Sequence, residues 1–262
     1  MQLELTDRHV LITGGSKGIG LACAREFSRE GARVSLVARD RGALEAAVKD
    51  LEASGGVARA FSADLRDARS AAEVVERIYA ECGEVDVLVN SSGAAVRTPF
   101  EELTPQAWHA AMEAKFFAYI HVLDPVIKRM AERGRGAIVN VVGAGGKVAS
   151  PTHLAGGSAN AALMLASAGL AAAYGPRGVR VNAVNPGATL TDRLQGGLDA
   201  EARRQGVSAQ QVLAAQQAAM PLRRLARPEE IANAVVFLSS DRASYITGAI
   251  LAMDGAMTPM VV

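Results

Sequence analysis

The chain has 262 residues, half of them hydrophobic, enough to bury one large α/β core. Its 28 basic and 27 acidic side chains leave a formal charge of +1, so no electrostatic footprint for nucleic acid or an anionic membrane exists, and small-molecule or protein partners are expected. Two cysteines, Cys23 and Cys82, without metal-ligand spacing, read as buried free thiols in a reducing cytosol rather than as a disulfide framework or a metal site.

The N-terminal MQLELTDRHVLITGG is acidic where a secretion signal is basic, which predicts a cytoplasmic protein. Short β-branched runs then alternate with segments of helical period: HVLIT at 9 before Leu21 to Arg29, RVSLVA at 33 before Ala43 to Ala53, VARAFSA at 57 before a helix around Ala72 to Ala80. VDVLVN at 85 precedes a long helix from about Thr104 to Ala131, and GAIVNVV at 136 precedes a helix from about Ala159 to Tyr174. VRVNAVN at 179, a helix from Ile231 to Ser239 and AILAM at 249 close the series. Alternation of this kind predicts a Rossmann-type doubly wound parallel sheet with helices on both faces, in a single domain over residues 1–262. Val148 to Pro176 lacks any Asp, Glu, Lys or Arg, but its Pro151, His153 and Asn160 suit a helix buried between protein surfaces better than a membrane span. The polar, Gln- and Ala-rich stretch Leu190 to Leu225 is expected to form a mobile lid over a binding crevice.

After the first strand comes Thr13-Gly14-Gly15-Ser16-Lys17-Gly18-Ile19-Gly20, opening a helix. Glycines there permit a tight turn and close approach of a pyrophosphate to helix N-terminal amides. At the end of the second strand, where NAD-binding folds place an acid on the ribose hydroxyls, the chain has Ala38 and Arg39. Arg39 with Lys17 would clamp a 2′-phosphate by charge-assisted hydrogen bonds, so NADP(H) is expected over NAD(H).

The chain closely resembles the short-chain dehydrogenase/reductase family through TGGSKGIG at 13, Asp64-Leu65, Asn90-Ser91-Ser92-Gly93, Asn185-Pro186-Gly187 with Thr191, Arg227-Pro228-Glu229-Glu230 and TGAILAMDG at 247. The resemblance implies that Asp64 and Leu65 flank the adenine, that Asn90 holds the turn beside the adenosine ribose with Ser91 and Gly93, and that Pro186 to Thr191, including Gly187 and Thr189, line the nicotinamide. Two serines stand where the fourth-strand motif usually has Asn-Ala.

The resemblance also implies an asparagine, serine, tyrosine and lysine that move a proton to or from a carbonyl. An ungapped register puts Gly143 at the serine, Gly156 at the tyrosine and Asn160 at the lysine, while counting from Trp108 puts Lys115 at the asparagine. Neither glycine can transfer a proton, and Asn160 retains only hydrogen-bonding capacity toward a ribose hydroxyl. Lys115 and His153 are the candidate substitutes; Tyr119 and Tyr174 read as packing residues with a polar tip.

Three functions fit. The first is an NADP(H)-dependent oxidoreductase with a rearranged proton path, acting on a carbonyl or alcohol. The second is a non-catalytic subunit or cofactor sensor paired with an active relative, and the third a non-redox lyase or isomerase. Apolar residues in the insertion suggest an uncharged ligand. By resemblance the chain assembles as a homo-dimer or homo-tetramer, or as a hetero-oligomer, through the long helices around Thr104 to Ala131 and Ala159 to Tyr174.

Overall fold

In the computed structural model, which describes residues 2–93 and 95–259, seven parallel strands lie in the order β3-β2-β1-β4-β5-β6-β7. They are β1 (His9–Thr13), β2 (Arg33–Ala38), β3 (Val57–Ser62), β4 (Val87–Asn90), β5 (Gly136–Val141), β6 (Val179–Pro186) and β7 (Ile250–Met253). The doubly wound sheet is therefore as expected.

Strand side chains alternate between two cores, because successive residues point to opposite faces. Val10, Ile12, Val34, Leu36, Val87, Val89 and Val139 pack against α1 (Gly18–Arg29), α2 (Arg41–Ala53) and α9 (Pro228–Ser239). Leu11, Val37, Leu88, Ile138, Val179 and Val181 pack instead against α3 (Ala68–Cys82) and α5 (Ala118–Arg133). Covered on both faces, the five inner strands need no polar side, which accounts for their near-continuous apolar runs, while the edge strands β3 and β7 are largely exposed. Local chemistry starts two of the helices: Asp40 accepts from the Ala43 amide and Asp67 from the Ser70 amide, each an N-cap contact worth about 1 kcal/mol.

The structure corrects or refines four expectations. The long helix expected near Thr104 to Ala131 runs unbroken from Pro105 to Arg133, but a π-helical turn, Met112–Phe117, separates α4 (Pro105–Ala111) from α5. Helical periodicity does not register the change from i−4 to i−5 bonding, since apolar positions continue on both sides. Next, α6 (Leu154–Tyr174) starts five residues ahead of the expected Ala159. Its first turn, Leu154-Ala155-Gly156-Gly157, has poor intrinsic propensity and is held by packing, for a Cβ on Gly157 would lie 2.6 Å from the Gly145 carbonyl oxygen. The stretch Leu190 to Leu225 contains two helices, α7 (Leu194–Gln205) and α8 (Ala209–Ala219), the second opened by a reciprocal Ser208–Gln211 capping box. Lastly, Cys23 is buried, but Cys82 at the end of α3 is only half-buried.

Among the described residues one helical stretch, Leu154–Arg177, is long and apolar enough to cross a membrane, and 44% of its window is buried inside the protein. Its inner face carries Leu163 and Ser167 against the sheet, while Leu165 on the outer face is 78% exposed.

Candidate active site

All seven strands run the same way, so their carboxyl ends share one edge. The chain leaves β1 for β2 on one side and later returns to β4 on the other, and a crevice opens between the two departures.

Backbone sterics shape the first wall. Gly14 has φ +68° and a Cβ there would stand 2.7 Å from the Ser91 carbonyl oxygen; a Cβ on Gly20 would stand 2.2 Å from the Gly14 carbonyl oxygen. Only glycine lets the loop fold back onto its own helix at these points. Ser16 is half-buried, Lys17 is exposed, and Ile19 packs on the core below. Lys17 occupies the N-cap of α1 in extended conformation and its side chain caps no amide, so the first-turn N–H groups are not claimed by a capping side chain. A tight glycine turn, uncapped amides and a helix dipole together form a donor set suited to a pyrophosphate.

Behind this loop runs a buried polar chain. The Thr13 hydroxyl donates to Asn90 Oδ1 at 3.3 Å, Asn90 Nδ2 to Asn140 Oδ1 at 3.0 Å, Asn140 Nδ2 to Ser167 Oγ at 2.9 Å, and Ser167 Oγ to the Leu163 carbonyl. Thr13 Oγ1 also accepts from the Ser91 and Ser92 amides, which fixes the turn after β4. Asn90 thus faces into the sheet and holds that turn from beneath. Asn140 was missed in the sequence, although a lone amide inside the apolar run GAIVNVV was its visible signal.

At the ends of β2 and β3, Arg39 is exposed, and its carbonyl accepts from Ser62 Oγ at 3.0 Å. Leu65 is buried. Asp64 is clamped by Arg66, with Nε at 3.0 Å from Oδ1 and Nη2 at 2.5 Å from Oδ2. This hydrogen-bonded pair lowers the Asp64 carboxyl below its ordinary range, with a further Coulombic contribution from Arg39. Neither Lys17 nor Arg39 forms an ion pair among the described residues.

The end of β6 closes the opposite wall. Pro186 is buried, the Gly187 amide donates to the Met253 carbonyl at 3.1 Å, and Thr189 Oγ1 donates to the Gly187 carbonyl at 3.1 Å. Thr191 arches over the glycine loop, its Cγ2 lying 3.5 Å from where a Gly18 Cβ would be.

Deeper in, Gly93 has φ +75°, and a Cβ on it would fall 1.7 Å from the Ala114 carbonyl oxygen, so the loop after β4 lies directly on the π-helical turn. That turn delivers Lys115 to the end of β5: its Nζ donates to Tyr119 Oη at 2.7 Å and to the Val141 carbonyl at 3.1 Å. Tyr119 Oη in turn donates to the Val141 carbonyl at 2.8 Å, so this fully buried tyrosine packs with its polar tip paired. Desolvation, then the nearby Arg193 charge, draws Lys115 down to about 7. Tyr174 is only partly buried against the second core.

Gly143, Gly156 and Asn160 gather beside it. A Cβ on Gly143 would sit 3.2 Å from Asn160 Nδ2, and the buried Asn160 Oδ1 has no hydrogen-bond partner among the described residues. The His153 ring fills the space over Gly156, its Cε1 lying 2.2 Å from where a Cβ would project. Its Nδ1 is also buried without a partner among the described residues, and desolvation, followed by the charges of Arg97 and Lys115, pulls the imidazole down to about 4. Lys115, Gly143, Gly156, Asn160 and His153 are therefore brought together, whereas Asp64 and Arg39 lie at the far end of the crevice.

A crevice at the switch point of a parallel sheet, floored by a glycine turn and ending in a buried amine, defines the class of dinucleotide-fold α/β proteins. The family description enoyl-(acyl carrier protein) reductase matches residues 14–258. D-Threitol dehydrogenase of Mycolicibacterium smegmatis is 36% identical over 97% of this chain and 94% of its own. L-Rhamnose 1-dehydrogenase (NAD(P)(+)) of Azotobacter vinelandii is 34% identical over 97% of each. The crystal structure of L-sorbose reductase from Gluconobacter frateurii, complexed with NADPH and L-sorbose, superposes with a TM-score of 0.91 at 30% identity over the whole of both chains. The chain belongs to the short-chain dehydrogenase/reductase family of oxidoreductases.

Proposed function

We propose that this protein is an NADP(H)-dependent oxidoreductase that interconverts a carbonyl and an alcohol, with Lys115 moving the proton that the family's tyrosine ordinarily moves. The observation that carries the reading is the Lys115 amine, held at the end of β5 by Tyr119 and Val141 and drawn down to about 7 by burial. A group with a pKa near the working pH is the most effective general acid or base. On this reading Gly143, Gly156 and Asn160 stand at the family's serine, tyrosine and lysine positions, and the His153 ring takes up the space over Gly156.

The coenzyme fits the residues present. Gly14, Gly18 and Gly20 with the α1 amides hold the pyrophosphate, Lys17 and Arg39 the 2′-phosphate, and Asn160 a ribose hydroxyl through its unpartnered Oδ1. A bound reduced nicotinamide supplies the hydride. Pro186 to Thr191 exclude water from one face of the ring. Lys115, protonated, donates from Nζ to the carbonyl oxygen as the alcohol forms; deprotonated, it accepts the hydroxyl proton in the reverse direction. Reduction therefore falls as pH rises through about 7, and oxidation rises.

Stopped-flow absorbance of bound NADPH against a carbonyl panel tests this. Lys115→Met should lower the single-turnover rate by about 10²–10⁴-fold and abolish its pH dependence, with NADPH affinity unchanged. Turnover insensitive to that substitution would refute the assignment.

One observation favours a second reading, a non-catalytic subunit: the Lys115 amine is already engaged by two oxygen partners, as a structural strut would be. Tight NADPH binding with no turnover of any carbonyl would select it.

A further inference from the structure

The mouth of the crevice is built from two segments that each hold an arginine of the other's neighbour. Arg193, at the N-cap of α7, donates through Nη1 to the Gly93 carbonyl at 2.9 Å, at the start of the loop after β4. Four residues further along that loop, Arg97 lies across α7 in return: the Cβ position of Gly197 is 3.0 Å from both its Cδ and its Nε. Residues 193 and 197 are about 6 Å apart along the start of α7, and both charges reach the pocket, Arg193 acting on Lys115 and Arg97 on His153. The same loop is pinned to the other side of the pocket by the Thr98 amide, which donates to the Thr152 carbonyl at 3.0 Å beside His153.

These cations are short of counter-charge. Among the described residues Arg97 forms no hydrogen bond or ion pair, and Arg193 has only the Gly93 carbonyl. The carboxylate acting on Arg97 is Glu201, which is occupied by Arg204 at 2.5 Å, Gln205 at 2.5 Å and the Thr152 hydroxyl at 3.4 Å. Lys115 adds a third positive group below. Burial also holds the Arg97 guanidinium below its ordinary pKa, as expected for an unmatched cation in a recess. Both arginine side chains remain exposed enough for a ligand to reach.

We propose that the substrate carries an oxyanion headgroup, a carboxylate or its sulfonate or phosphonate equivalent, held by Arg97 and Arg193 while its carbonyl carbon faces the coenzyme. Planar guanidinium forks pair with such groups bidentately, and a partly desolvated site amplifies the attraction. This rests on the oxidoreductase reading only for the carbonyl; the anion site stands on the two arginines. It replaces the uncharged ligand that the apolar insertion residues suggest, for the charges lining the mouth come from loop and helix termini that sequence composition does not bring together.

The test uses the full chain with NADPH and paired probes: straight-chain oxo acids with the keto group two to five carbons from the carboxylate, their methyl esters, and the matching oxoalkyl sulfonates and phosphonates. The acids should show KM about 10- to 100-fold below the esters. Arg97→Met should erase that gap without changing NADPH affinity, and Arg97→Lys should restore part of it; the sulfonate and phosphonate arms identify the headgroup. Equal KM for acid and ester, or a gap that survives in both Arg97→Met and Arg193→Met, overturns the proposal. Loss of NADPH affinity in Arg193→Met would assign that arginine to the coenzyme and overturn its part. Should no probe turn over, calorimetry with glutarate and the NADP⁺ complex decides: binding lost in Arg97→Met upholds the anion site while the oxidoreductase reading fails, and no binding overturns the site.

Discussion

Lys115 has a thermodynamic consequence apart from catalysis. Its folded-state pKa of about 7 lies below the ordinary lysine value of 10.5. Between those values the unfolded chain carries a proton on this group that the folded chain does not, so this group makes stability rise with pH across the window, by about 1.4 kcal/mol per pH unit. Below pH 7 the burial penalty is complete and flat. Denaturant titrations at pH 7 and 9 should therefore show wild type gaining on Lys115→Met as pH rises. Equal pH slopes would show that the amine is solvated. At the other end of the crevice, Arg39→Ala should weaken NADPH binding about 10- to 100-fold and leave NADH nearly unchanged, because the substitution removes a charge-assisted contact that only a 2′-phosphate makes. Fluorescence titration of both coenzymes measures this directly.

Glycines placed the elements around the site. The π-helical turn and the loop after β4 touch where Gly93 has no side chain, and a Cβ there would overlap the Ala114 carbonyl oxygen. Gly93→Ala must displace one segment from the other at a backbone position of positive φ, so we expect destabilisation of roughly 3 kcal/mol and loss of the Lys115–Tyr119 contact. Thermal denaturation and the single-turnover pH profile report these two effects separately. The interior chain Thr13–Asn90–Asn140–Ser167 ties three strands to α6. Its members are buried and mutually satisfied, so one deletion costs more than one hydrogen bond: the partner left behind remains desolvated.

At the scale of the whole molecule, the outer side of α6 is an apolar face left uncovered among the described residues. Ala161, Leu165, Ala168 and Ala172 are exposed along it, with Leu165 at 78%, and Phe117 and Trp108 are exposed on the neighbouring stretch at 43% and 38%. An uncharged stripe of small residues around one leucine fits the same stripe on a second copy, which permits close helix approach across a two-fold axis. We propose self-association there. Leu165→Asp should shift sedimentation velocity toward the monomer while leaving far-ultraviolet circular dichroism unchanged; an unaltered sedimentation coefficient would exclude this face.

How far the sequence reaches differs along the chain. Strand runs such as HVLIT and RVSLVA, and the turn Thr13 to Gly20, are legible because their signals are local: β-branched content, and glycine spacing beside a helix start. Right-handed crossovers narrow the sheet orders that such alternation allows, and the folded chain takes one of them. Arg97, Arg193 and Arg66 gave no local signal, since a surface arginine in a loop reads the same whether or not a pocket lies beneath it. Lys115 could be picked out by counting, but its lowered pKa comes from burial and from the charge of Arg193, which lies 78 residues away. The π-helical turn, the early start of α6 and the filling of the Gly156 space by His153 were likewise decided by contacts. Short-range preferences determine which segments become strands and helices; desolvation and steric exclusion act between groups distant in the chain, and they exist only once the chain has folded.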